Sequence, residues 1–217
     1  MLHSASMLRV ILATSLVAVV AATCPPEGFD SIENFNLTAF VSKKWYIQQQ
    51  AVTKYLPISE NFCVAAEYEV LAKKTFWGYD IKVHNVAYER DGTLHDSGDT
   101  LYAKIVDAKT GKLEVGPYFI PTRFGGPYWV IAYDETEGYA VISGGPPTVE
   151  GEDGKCRTGS SSVNDAGLWI FTRQQTRDEA LVNLARSIAE SKGFDLTALN
   201  DVDQSTCPPK LDFPIVF

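Results

Sequence analysis

Leu168-Trp169-Ile170-Phe171-Thr172-Arg173 is an apolar run that ends on a single cation just before a helical segment. Near the other end of the chain, Lys43-Lys44-Trp45-Tyr46-Ile47 opens on an indole. A Trp that begins the first strand and an Arg that closes the last suit a sheet whose outer strands meet, with the guanidinium stacked over the indole. That describes a closed β-barrel, in which Trp45 and Arg173 are structural and seal the closed end.

The stretches between these ends agree. In Cys63-Val64-Ala65-Ala66-Glu67-Tyr68-Glu69-Val70 the period-2 pattern puts Glu67 and Glu69 outward and Ala66, Tyr68 and Val70 inward, giving one wet and one dry face. Further strand-like runs follow at Trp77 to Ala87, Thr100 to Val106, Lys112 to Ile120, Pro127 to Asp134, Tyr139 to Ser143 and Gly167 to Thr172. Turn sequences such as Arg90-Asp91-Gly92-Thr93 and Lys109-Thr110-Gly111-Lys112 separate them. With Trp45 to Gln50, whose residues Gln48 to Gln50 are unusually polar, these make an eight-stranded antiparallel up-and-down barrel. The strands do not alternate with helices, which excludes a parallel α/β sheet.

Phe35 to Phe40 reads as a short helical turn leading into the first strand. One longer helix follows the last strand: Thr176 and Glu179 have capping-box spacing, Leu181, Leu184, Ala185 and Ile188 form a stripe, and Gly193 can end it. Its single apolar face suits the outside of the barrel. The long Gly-, Pro- and Ser-rich connection from Gly144 to Asn164 contains Cys156, whose disulfide would pin it.

Residues 1–22 read as a secretory signal, with Arg9, an apolar run from Val10 and small residues before Thr23. The run is too short for a membrane span, and Thr23-Cys24-Pro25-Pro26 breaks its continuation. A lipidated Cys24 is disfavoured by the residues before it. Residues 23–217 then form one domain, secreted or delivered through the secretory pathway to a compartment such as a plastid. With 27 acidic against 19 basic residues the chain is acidic, which argues against nucleic acid and anionic membranes as partners. Cys24, Cys63, Cys156 and Cys207 lack metal-site spacing, and in a secreted chain they read as two disulfides with three possible connectivities. Asn36-Leu37-Thr38 is an N-glycosylation sequon.

Three segments resemble the signatures of the lipocalin family: Val41-Ser42-Lys43-Lys44-Trp45-Tyr46, Tyr128-Trp129-Val130-Ile131-Ala132-Tyr133-Asp134 with Tyr139, and Trp169-Ile170-Phe171-Thr172-Arg173. The chain looks most like the apolipoprotein D-like branch, through Glu33-Asn34-Phe35, Lys112-Leu113-Glu114-Val115, Pro127-Tyr128-Trp129 and Asp203-Gln204-Ser205-Thr206-Cys207-Pro208. Ser42 replaces the usual Gly before the Trp, and the 144–164 connection is longer than that branch's. The resemblance implies a cup open at one end with the helix on its side, and disulfides Cys24–Cys156 and Cys63–Cys207. It also implies that Tyr68 and Trp169 line the pocket, and alternation adds Phe119 and Tyr128.

Nothing in the sequence assembles a catalytic site. His84 and His95 lack a neighbouring nucleophile or metal spacing, Ser160 to Ser162 has no strand-to-helix elbow, and there is no Gly-rich phosphate loop. A weaker similarity links Asn34 to Ile47 and Phe194 to Cys207 with the lipocalin domain of violaxanthin de-epoxidase. The segment Ile58-Ser59-Glu60-Asn61-Phe62 lacks the close Asp pair expected for that acid–base chemistry. The expectation is a non-enzymatic, cofactor- and metal-free monomer that carries a small hydrophobic ligand: a fatty acid, sterol, retinoid, carotenoid or tetrapyrrole. The alternatives are a filled barrel acting through its loops as an interaction or inhibitor protein, or a carotenoid enzyme.

Overall fold

A computed structural model describes residues 23–208, so the signal read at 1–22 lies outside the described residues. The strands are β1 Trp45–Ala51, β2 Phe62–Val70, β3 Ile81–Tyr88, β4 Leu94–Asp96, β5 Leu101–Asp107, β6 Lys112–Pro117, β7 Gly126–Asp134, β8 Tyr139–Ser143, β9 Val149–Glu150, β10 Cys156–Arg157, β11 Leu168–Thr172 and β12 Leu199–Asp201. Helices α1, Leu37–Val41, and α2, Glu179–Ser191, flank them. Neighbouring strands pair in the order β11-β8-β7-β6-β5-β3-β2-β1, and β11 pairs again with β1, closing an eight-stranded antiparallel barrel. Ile47 stands opposite Phe171, and Gln50 opposite Trp169.

Two apolar layers follow from the alternation. Inward residues such as Ile47, Val64, Val83, Leu113, Val130, Ile142 and Phe171 form the barrel core. Outward residues Val141, Leu168 and Ile170 pack with Ile131 beneath α2, which contributes Ala185 and Ala189. The α2 face is rotated from the expected stripe: Val182, Ala185 and Ala189 are fully buried, while Leu184 is 44% exposed. Small residues at the contact let the helix axis approach the sheet closely. The helix also starts later than the Thr176 box implied. Asp178 caps it, accepting from Ala180 and Leu181 N–H. Gln48 Nε2 donates to the carbonyls of Gln174 and Gln175, and Arg177 Nη1 donates to the Gln48 carbonyl, holding 174–177 against β1 outside the helix.

Other boundaries move for similar reasons. Residues 71–80 form a turn, held by Leu71 N–H on Asp80 O and Thr75 N–H on Tyr79 O, so the third strand starts at Ile81 and Phe76 is left exposed. Val70, expected inward, is 54% exposed.

β1 and β2 pair only at Trp45–Ala66 and Tyr46–Ala65, then splay. The C-terminal segment fills the gap. β12 pairs with Gln49 to Ala51, Val202 N–H reaches Gln48 O, and Cys63 N–H reaches Asp203 O. Gln204 Nε2 donates to both Ile47 O and Val64 O, one carbonyl from each side of the seam. The disulfides join Cys63 to Cys207, holding this tail, and Cys24 to Cys156, pinning the long connection. These are the pairs that the resemblance implies.

Candidate functional site

The end of the barrel where β1 begins and β11 finishes is sealed. The Arg173 guanidinium lies 3.6 Å from the centroid of the Trp45 ring. Its N–H groups donate to the carbonyls of Ala39, Phe40, Lys43 and Lys44 and to Glu135 Oε2. Trp45 Nε1 donates to Phe40 O at 2.9 Å, and Phe40 packs against Phe35, Trp45, Tyr68 and Tyr133. Burial opposes ionisation of Glu135, but hydrogen bonds from Arg173 and Tyr133 outweigh it and hold the carboxyl below its usual range.

Above this floor the wall is apolar and aromatic. Tyr68 on β2 and Tyr128 on β7 face each other across the interior, their hydroxyls 2.7 Å apart. Burial pushes both phenols well above the ordinary tyrosine range, so both stay protonated. Tyr68, Leu101, Ile105, Val115, Tyr128 and Trp169 face inward yet are only partly buried, unlike the tightly enclosed residues of the floor.

Toward the opposite, open end, Trp169 is set by Gly167. This glycine has φ +107°, and a Cβ on it would lie 2.1 Å from the indole. The β1–β2 connection braces this corner, with Tyr55 OH donating to Ala166 O and Lys54 N–H to Ser160 O. On the inward side of β1, Gln50 donates through Nε2 to Asn61 Oδ1, and Asn61 Nδ2 donates to Asp201 O. A backbone carbonyl can only accept, so this chain fixes both amides and leaves the buried Gln50 Oε1 without a partner.

A cleft of about 440 Å³ lies elsewhere, between α2 and residues 152–155. Lys155 pairs there with Glu190, and Arg157 with the buried Asp195, so its charged walls satisfy one another. It is unsuited to a hydrophobic molecule. Among the described residues there is no cluster of three or more metal-ligating side chains, and no helix is long and apolar enough to cross a membrane.

No family model matches the chain. Among solved structures, lobster apocrustacyanin A1 aligns with a TM-score of 0.54 at 16% identity, over 79% of this chain and 81% of that one. The amine binding protein of Rhodnius prolixus, solved in its tryptamine complex, aligns at 0.52 and 15% identity, over 80% and 83%. In sequence, the chain is 24% identical to mouse apolipoprotein D over 177 residues, spanning 81% of this chain and 80% of that protein. The chain has the lipocalin barrel fold and is similar in sequence to apolipoprotein D.

Within this barrel the residues singled out from sequence separate into three places. Tyr68 and Tyr128 meet in the interior, Trp169 stands nearer the mouth, and Trp45 and Arg173 form the seal. Phe119 is elsewhere: β6 ends at Pro117, and Phe119 sits in the β6–β7 connection, 59% exposed and packed on Tyr118. Pro117 and Pro121 bracket that connection, where a proline cannot donate to a ladder, so the alternation that aimed Phe119 inward does not extend to it. Asn36 is exposed, and its Oδ1 caps α1 by accepting from Ala39 N–H. Sequence reasoning did not assign Phe40, Tyr133 or Gln50. The polarity of Gln48 to Gln50 was the available signal for the last, but a bulge between Ile47 and Gln49 decides which glutamine faces in.

Proposed function

We propose that this protein is a lipocalin that binds and carries one small hydrophobic molecule in the open half of its barrel, as a secreted, monomeric, non-enzymatic protein. The observation that carries the reading is the set of inward, partly accessible side chains above a sealed aromatic floor. A barrel of eight strands is wide enough for one such molecule. Burying about 400 Å² of its apolar surface contributes roughly 10 kcal/mol before immobilisation costs, at about 25 cal/mol per Å². The fatty acid, sterol, retinoid, carotenoid and tetrapyrrole classes all offer that much surface. The tryptamine complex of the Rhodnius protein supports small-molecule binding by this fold. Two disulfides suit an oxidising compartment. A glycan on Asn36 Nδ2 would leave the capping Oδ1 in place, and peptide mapping with and without glycosidase tests it.

Tyr68, Tyr128 and Trp169 are the proposed contacts. The test is a ligand screen read by tryptophan quenching, with native mass spectrometry of protein purified from its own source. Sub-micromolar binding that weakens in Trp169→Ala supports the reading. Absence of both quenching and co-purified ligand overturns it.

A further inference from the structure

We infer that the barrel takes an uncharged ligand, with any polar end a neutral hydroxyl, ester or carbonyl, and discriminates against carboxylates. The inference rests on the reading of the barrel as a ligand cavity, and it narrows the ligand classes open to that cavity.

The strand register shows what an incoming charge would meet. Partners across the sheet share a face, so the inward set can be followed from strand to strand: Tyr68 opposite Val83, Val83 opposite Leu101, Ile105 opposite Leu113, Leu113 opposite Tyr128. Among the described residues, no Asp, Glu, His, Lys or Arg occupies an inward position on the eight barrel strands; on the short β4, outside that set, His95 stands opposite the inward Ala87 at the rim. The charged strand residues, such as Lys82, Glu67, Glu114 and Lys112, fall on the other face, where they pair with one another or with outer residues. The nearest cation is Arg173 at the floor, and its donors are already directed to four carbonyls and Glu135. Nothing remains to neutralise a buried carboxylate, and an unpaired ion taken from water into such a site carries a large desolvation penalty.

The polar groups that do face the interior are neutral. The two phenols share one hydrogen bond, which uses one of their two protons, so the pair keeps one hydroxyl proton to donate to a ligand oxygen. Gln50 adds an amide. His95 on β4 sits between Glu60 and Glu89, at 3.6 and 2.9 Å, so the cluster is net acidic on a chain of formal charge −8. An anion would be left uncompensated inside.

The experiment uses matched triplets on two skeletons at pH 7.4: retinol, methyl retinoate and retinoic acid, and hexadecanol, methyl palmitate and palmitic acid. Each is titrated against the intact, oxidised protein by tryptophan quenching or displacement of a neutral fluorescent probe. The expected result is that alcohol and ester bind within a few-fold of each other while the acid binds at least tenfold more weakly. The ester isolates charge from size, since it restores affinity on the acid's own skeleton. In the double variant Tyr68→Phe/Tyr128→Phe, checked for native circular dichroism, alcohol binding should fall several-fold while binding of the parent hydrocarbon holds. An acid that binds as tightly as its alcohol overturns the inference and leaves the cavity reading standing. If no member of either triplet binds, the cavity reading falls and the inference with it.

Discussion

Replacing Trp45 by Ala should remove about 5 kcal/mol of stability while leaving the ligand affinity of the folded fraction nearly unchanged. The indole is fully buried, and truncating a buried Trp or Phe costs about 3–5 kcal/mol in lost transfer energy and residual cavity. Loss of the Nε1 bond to Phe40 O adds about 1 kcal/mol, and loss of a desolvated cation–π contact about 1–2 kcal/mol. These contributions share the same neighbours and are not fully additive. Trp45→Phe keeps a ring under the guanidinium and loses the N–H bond and part of the volume, so it should cost about 1–2 kcal/mol. The assay is urea unfolding with disulfides intact, followed by far-UV circular dichroism and extrapolated at constant slope. Ligand titration is then performed well below the unfolding midpoint. A cost under about 2 kcal/mol for Trp45→Ala, or equal costs for Ala and Phe, would refute the seal as argued. A tenfold affinity loss in a well-folded variant would show instead that the indole belongs to the ligand site.

Gly167→Ala should destabilise by about 1–3 kcal/mol and shift the tryptophan emission, because φ +107° disfavours a side chain and the new Cβ would displace the Trp169 ring; an unchanged spectrum would contradict this. Burial opposes ionisation of Asp195, but its hydrogen bonds to Glu152 N–H, to the Thr197 N–H and hydroxyl, and to Arg157 outweigh it and hold the carboxyl well below its usual range. With the folded pKa below the unfolded value of about 3.9, its stabilisation is complete above that value and drains away as pH falls through the folded pKa. The drop in urea midpoint between about pH 5 and pH 2.5 should therefore be smaller in Asp195→Asn than in the parent. Removing Cys63–Cys207 by paired Ser substitutions should cost about 3–5 kcal/mol by the chain-entropy model and speed proteolysis of the tail; an unchanged digestion rate would count against its anchoring role.

How far each feature was legible depends on the distance over which it is decided. Tyr68 could be placed inward because period-2 alternation is local and one barrel face must be dry. Phe119 could not, since its apolar run continues past the proline that ends the ladder. Of the α2 stripe, Leu181, Ala185 and Ile188 do pack on the barrel, but Leu184 is outside and Val182 inside, because a helix offering several apolar residues is oriented by the sheet it meets. Register is less visible still. The bulge at Gln48 gives three successive glutamines three tasks: Gln48 ties down 174–175, Gln49 contacts Arg186 and Asp201, and Gln50 turns inward. β12 has no sequence signature, because its three residues become a strand only when an open seam is there to receive them.

That seam sets an order of events in synthesis. β1 and β2 are among the first strands to leave the ribosome, but the carbonyls that face each other where they splay are bridged by Gln204, and Cys63 must wait for Cys207. Until residues 199–207 have emerged, the earliest hairpin carries unsatisfied backbone and an unpaired thiol, and β1 also lacks its partner β11. Closure of the barrel therefore waits on the last segment of the fold to be made. A stalled or truncated nascent chain would present an open sheet edge that chaperones and disulfide-forming enzymes have to guard.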